Sequence, residues 1–153
     1  MPIKIEHRVG IAVPADILWE IVSDIPRWPE WTVIYPAAKG VVGYGEKLSL
    51  TLALPNQKPV DIQPRIIDWA PNEAIHWKIP LYGGFGSGVH YLEIEALSEA
   101  GCIFSNGEIL GGLAARWSSI AVRRSMKAGY AALGEALKDR ALALWRERAG
   151  EAI

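Results

Sequence analysis

An imidazole and a carboxylate, His90 in the stretch VHYLEIE and Glu108 in NGEILGG, stand among apolar residues that alternate as in β-strands. Enclosed in an apolar space, such a pair can do acid/base work. Burial raises a carboxylate pKa and lowers an imidazole one, while their mutual proximity opposes both shifts and leaves titration near neutral pH. A cyclisation or dehydration needs those two roles, a base to remove an activated proton and an acid to release water. The same groups can instead anchor a ligand hydroxyl or carboxylate, fixing orientation and nothing more. They can also be a structural cross-strand pair with no ligand at all.

Two turns decide which residues stand beside them. Gly83-Gly84, between EAIHWKIPLY and FGSGVHYLEIEAL, reads as a two-residue hairpin turn that requires positive φ at both positions. Tyr82 then pairs with Phe85, and counting back sets Trp77 opposite His90. Ile75, Trp77 and Ile79 share a face with His90, Leu92 and Ile94, while His76, Lys78, Tyr91, Glu93 and Glu95 point the other way. A second turn, SEAG, returns the chain so that Phe104, Asn106, Glu108 and Leu110 lie on the first face, with Glu108 opposite His90 or offset from it by two. The candidate ligand-facing set on the strands is therefore Trp77, His90, Leu92, Phe104, Asn106 and Glu108.

Other signals are weaker. GGFGSG leads into a strand and lacks a Gly-Lys-Ser/Thr ending, so the hairpin turn explains it better than a phosphate loop. A serine-hydrolase elbow GxSxG is absent. His7, His76 and His90 form no ligand pattern, so neither a metal nor another cofactor is expected. Arg116, Arg123, Arg124 and Lys127 gather near the start of the last helix; a solvated face is the ordinary reading, and membrane contact is not predicted.

The elements follow from periodicity. Residues 3–13 read as a strand ended by Pro14, and Ile17, Leu18, Ile21 and Val22 place a short helix over Ala15 to Ser23. Pro26 and Pro29 forbid its regular continuation, so DIPRWPEWTVIYP is a bend or a broken helix. Residues 47–54, 59–70, 73–82, 85–97 and 101–112 read as strands, with Pro64 marking a bulge or an edge. Leu113 to about Arg148 contains no proline and reads as one helix on the order of 50 Å long. Trp117 and Tyr130 on it can reach a ligand or equally pack against the sheet.

Composition bounds the function. At 153 residues the chain is read as a single domain over 1–153, able to bury about 68–70% of its unfolded surface. The formal net charge of −1 does not suit a protein that neutralises many phosphates, so no nucleic-acid partner is expected. No apolar run approaches the roughly 20 residues of a membrane span, and MPIKIEHRVG lacks the apolar core of a signal peptide. Cys102 has no second cysteine to pair with. A cytoplasmic protein, monomeric or homodimeric, is expected.

The segments VPADILWEIVSDIPRWPEW, AIHW, VHYLEIE, NGEILGG and AGYAALGEALKDR, in that order over nearly the full length, resemble the SRPBCC superfamily. This is the START-like or helix-grip group that includes polyketide cyclase/dehydrase-like proteins. The resemblance implies an α+β fold: a curved antiparallel sheet of six to seven strands wrapped around a long C-terminal helix, with a short helical segment after the first strand. It also implies a hydrophobic cavity between sheet and helix. The function it implies is binding of a small hydrophobic or amphipathic molecule, such as a lipid, a polyketide or another aromatic or isoprenoid-like compound. Alternatives are a cyclase or dehydratase using His90 and Glu108, and a protein-interaction module using the outer surface. In that family the position of DIPRWPEWTVIYP caps one end of the cavity. Trp28, Trp31 and Tyr35 are then an aromatic lid stiffened by Pro26 and Pro29, with Trp31 and Tyr35 as ligand contacts, together with Trp117 from the helix.

Overall fold

The alternating segments pair as antiparallel strands, and their registers follow the turns. A computed structural model describes residues 2–151. In chain order the elements are β1 (Ile3–Ile11), α1 (Ala15–Ser23), a 3₁₀ turn (Ile25–Glu30), β2 (Ala37–Lys39), β3 (Ser49–Leu52), β4 (Val60–Ile62), β5 (Arg65–Ala70), β6 (Ala74–Leu81), β7 (Gly86–Ser98), β8 (Gly101–Gly112), α2 (Leu113–Trp117) and α3 (Ile120–Glu151). Five strands form one sheet in the order β1-β8-β7-β6-β5, and β2-β3-β4 form a second. The architecture is the α+β arrangement of a curved antiparallel sheet and a long C-terminal helix.

The described residues hold eight strands, one more than the upper end of the expected range. Two additions account for it: β2 falls outside the segments that read as strands, and Pro64, which cannot donate to a ladder, divides residues 59–70 into β4 and β5, which lie at the edges of different sheets. The turn after β6 has Gly83 at φ 64° and Gly84 at φ 95°, the left-handed conformation that glycine adopts without strain. Trp77 consequently pairs with His90. The 3₁₀ turn accommodates Pro26 and Pro29 where an α-helix would not continue.

The last helix is not continuous. Ser118 is extended (ψ 131°), and Ser119 Oγ accepts the Val122 amide at 3.1 Å to start a new helix. Arg123 donates to Ser118 Oγ at 2.8 Å and to the Ala115 carbonyl at 3.2 Å, fixing the break. Two adjacent serines whose hydroxyls bond locally thus override the apolar periodicity. Beyond the break α3 runs for 32 residues, and Met126, Tyr130, Leu133, Leu137 and Ala141 bury one stripe against the inner face of the sheet. That inner face presents Ile5, Ile66, Ile75, Trp77, Leu92, Ile94, Phe104 and Leu110. Trp19 stacks on Trp69 at 6.3 Å and serves packing.

Candidate functional site

Glu108 lies directly opposite His90 across the β7–β8 ladder, the closer of the two offsets that the turns allow. Their side chains meet at 3.1 Å, His90 Nε2 to Glu108 Oε1. From α3, Tyr130 Oη donates to Glu108 Oε2 at 3.0 Å and lies 3.2 Å from His90 Nδ1. Three groups from three elements therefore share one hydrogen-bonded cluster. Asn106, one inward position along β8, donates through Nδ2 to the Tyr130 carbonyl at 3.0 Å and ties the sheet to α3 at the residue that completes the cluster. Gly88 makes the room: a Cβ there would overlap Glu108 Oε1.

The cluster is closed to water. His90 is 2% exposed, Glu108 6% and Tyr130 1%. Burial pushes the Glu108 carboxyl up, but the charge of His90 and the hydrogen bonds from His90 and Tyr130 together outweigh it and hold the group below its ordinary value. Burial and then the Glu108 charge push the Tyr130 phenol well above its ordinary value. At neutral pH the arrangement is an ionised carboxylate held by a neutral phenol and an imidazole. The sign for stability follows. A carboxyl with a depressed folded-state pKa adds stability at pH values above its unfolded pKa of about 4.3, and that contribution disappears as pH falls through the folded value. Urea midpoints measured from pH 5 down to pH 2 are expected to fall less steeply in Glu108→Gln than in the wild type.

Aromatic rings enclose the cluster. Trp77 stacks on His90 with centroids 5.6 Å apart and planes 9° from parallel, and Tyr130 meets His90 edge-on at 5.6 Å. Trp28 contacts Trp77 at 5.8 Å and Tyr35 at 5.1 Å, so the rings run from the 3₁₀ segment to α3. Two polar atoms beside them, the donor Trp77 Nε1 and the acceptor Asn106 Oδ1, are buried without a partner among the described residues.

The fold brings Tyr35, Trp77, His90, Leu92, Phe104, Asn106 and Glu108 together as buried inward-facing residues. Trp31 and Trp117 it places elsewhere. The 3₁₀ turn stacks Ile25 and Trp28 inward at a spacing of three and ends at Glu30. Trp31 leaves on another course and lines an outer cleft of about 330 Å³ between α1 and the C-terminal half of α3, with Glu20, Arg140 and Arg148. Trp28, expected in the lid but not among its ligand contacts, is the ring of the two that faces inward, against Trp77. Trp117 sits on the face of α2 opposite the buried Ala114 and Ala115 and is 60% exposed. The position that sequence reasoning left between ligand contact and core packing, Tyr130, is the one that joins the cluster. Its signal was its place in the stripe of Met126, Leu133 and Leu137.

A family model described as polyketide cyclase / dehydrase and lipid transport matches residues 2–141. The chain belongs to this family. Solved structures share the polyketide cyclase / dehydrase and lipid transport fold at low sequence identity. A START superfamily protein from Mycobacterium smegmatis superposes with a TM-score of 0.74 at 16% identity, over 92% of this chain and 98% of that one. The Zhui aromatase/cyclase from Streptomyces sp. R1128 gives 0.68 at 16% identity, over 97% and 96%. Norcoclaurine synthase from Thalictrum flavum gives 0.68 at 15% identity, over 93% and 87%. A comparison with curated proteins finds no significant match. These likenesses, at 16% identity or below, are of fold.

Proposed function

We propose that this protein, read as one cytoplasmic domain, binds a small hydrophobic or amphipathic molecule between the five-stranded sheet and α3, with the polar end of that molecule at the Tyr130–Glu108–His90 cluster. One observation carries the reading. A hydrogen-bonded carboxylate, imidazole and phenol sit in an apolar interior with an unpartnered donor, Trp77 Nε1, and an unpartnered acceptor, Asn106 Oδ1, beside them. Folding has no need of such a group, since apolar side chains of similar volume are often at least as stabilising. A ligand uses it: Trp77, Leu92 and Phe104 take a ring or a branched chain, a ligand oxygen takes the indole N–H, and a ligand hydroxyl donates to Asn106. The family description and the fold neighbours support this class of occupant. Because the cluster is almost fully buried, a ligand reaches it only if surrounding rings such as Trp28, which contacts Trp77, move.

Native mass spectrometry of freshly purified protein tests this. The wild type is expected to carry a small-molecule adduct that Trp77→Leu retains poorly. A wild type that is reproducibly bare, including after incubation with a lipid and aromatic extract, refutes the proposal.

Acid/base catalysis is the second reading, favoured by the Tyr130 hydroxyl lying within hydrogen-bonding distance of both Glu108 and His90, so that a proton has a path among the three. Glu108 would accept the substrate proton and His90 or Tyr130 would donate one. Normal turnover of a captured molecule by both His90→Ala and Glu108→Ala would exclude it.

A further inference from the structure

Between Glu108 and Glu135 the sequence contains Arg116, Arg123, Arg124 and Lys127 and no acidic residue, in a chain whose net charge is −1. The fold turns this interval into a surface. Arg116, Arg124 and Lys127 are exposed on α2 and on the first turns of α3, and Ile120 between them is 67% exposed. The β6–β7 turn adjoins it, because the Leu113 amide at the start of α2 donates to the Phe85 carbonyl at 3.1 Å. Phe85 is 75% exposed, and Trp117, one helical turn beyond Leu113, is 60% exposed. Two large aromatic side chains and an isoleucine thus stand in water at one end of the molecule, among three exposed cations. The pinning of Arg123 to Ser118 and Ala115 holds α2 at its angle to α3, which keeps Trp117 outward.

We infer that this end of the molecule docks on an anionic lipid surface. The chemistry matches that of an interfacial segment: indole and phenyl rings settle at the boundary of headgroups and acyl chains, and arginine and lysine reach the phosphates alongside. A surface built for water alone has no use for three large apolar side chains as exposed as Phe85, Trp117 and Ile120. A polyanion such as nucleic acid would use the cations but leave Phe85 and Ile120 unused, so a membrane accounts for more of the patch. No helix among the described residues is long and apolar enough to cross a membrane, so the contact is peripheral. Docking depends on surface residues and stands whether or not the inner cluster binds a ligand.

Co-sedimentation of the full chain with vesicles tests the inference. Binding is expected to vesicles of three parts phosphatidylcholine to one part phosphatidylglycerol, to be much weaker on pure phosphatidylcholine, and to be lost in about 1 M salt, where charges are screened beyond about 3 Å. Each juxtamembrane cation contributes about fivefold, so the triple variant Arg116→Gln, Arg124→Gln, Lys127→Gln is expected to bind about a hundredfold more weakly. Phe85→Ser, at an exposed turn position, is expected to weaken binding at low salt while leaving the near-ultraviolet circular dichroism unchanged. No binding to the anionic vesicles, undiminished binding by the triple variant, equal binding to pure phosphatidylcholine, or tighter binding to a DNA duplex than to vesicles would each overturn it.

Discussion

Truncation of Glu108 to alanine is expected to destabilise the fold by about 1–3 kcal/mol, the range for leaving a buried polar group without its partner. The variant would take away the carboxylate that Tyr130 donates to and leave His90 Nε2, which faces it, without that partner in a buried site. Urea denaturation at pH 7 measures the loss. The informative companion replaces the whole cluster with apolar groups: His90→Leu, Glu108→Leu and Tyr130→Phe together. Similar volume and no unmet polar atom lead to stability within about 1 kcal/mol of the wild type or above it. That triple variant is also expected to lose the adduct seen by native mass spectrometry. Stability retained and binding lost would identify the cluster as a recognition element. If the triple variant unfolds as readily as Glu108→Ala, the cluster is structural and the proposed function loses its support.

Gly107→Ala is expected to cost about 3 kcal/mol, although it adds one methyl group on the face of β8 opposite the cluster. Gly107 is in the middle of β8, between Glu6 of β1 and Tyr91 of β7. A Cβ there would overlap the Ile5 carbonyl oxygen and stand 2.8 Å from Tyr91 Oη and 2.9 Å from Glu6 Cα. Two of these three atoms belong to backbone, which cannot step aside without opening the β1–β8 ladder. The third is held by a hydrogen bond from Tyr91 to Glu6 at 2.5 Å across the outer face. Gly111→Ala on the same strand is the control, since its Cβ would meet only the movable Ser87 Oγ at 3.2 Å. It is expected to stay within about 1 kcal/mol of the wild type, because alanine loses less backbone freedom on folding than glycine and this offsets the small shift asked of Ser87. Equal urea midpoints for the two variants would show that close strand approach is not what Gly107 serves.

Much of the site was legible because its geometry is local. The side-chain period of two and the Gly83-Gly84 turn set Trp77 against His90, and the next turn set Glu108 against His90, leaving only one offset to choose. What was not legible depends on contacts between distant elements. Whether Tyr130 reaches Glu108 depends on the rotation of α3 over the sheet, which Asn106 and the apolar stripe fix together. Trp28 and Trp31 are equally aromatic and both flank Pro29, and only the path of the 3₁₀ turn gives one to the interior and the other to the cleft beside α1. The helix break at Ser118–Ser119 was present in the sequence as a pair of side chains that compete for backbone, but the absence of proline made the segment read as continuous. How much room the interior leaves could not be read at all, because volume is decided by how Trp28, Trp77, Phe104 and Tyr130 pack against one another.

The strand order has a consequence for biosynthesis. β1 lies beside β8, with Ile3 paired to Leu110 and Ile11 to Cys102, so among the described residues the one ladder partner of β1 is translated roughly a hundred residues after it. At about 5–20 residues per second, roughly a hundred residues of further translation leave β1 unpaired for about 5–20 s. During that interval Ile3, Ile5, Val9 and Ile11 expose an apolar edge on the nascent chain. A shortage of ribosome-associated chaperones should therefore reduce the yield of this protein before it affects the stability of molecules already folded.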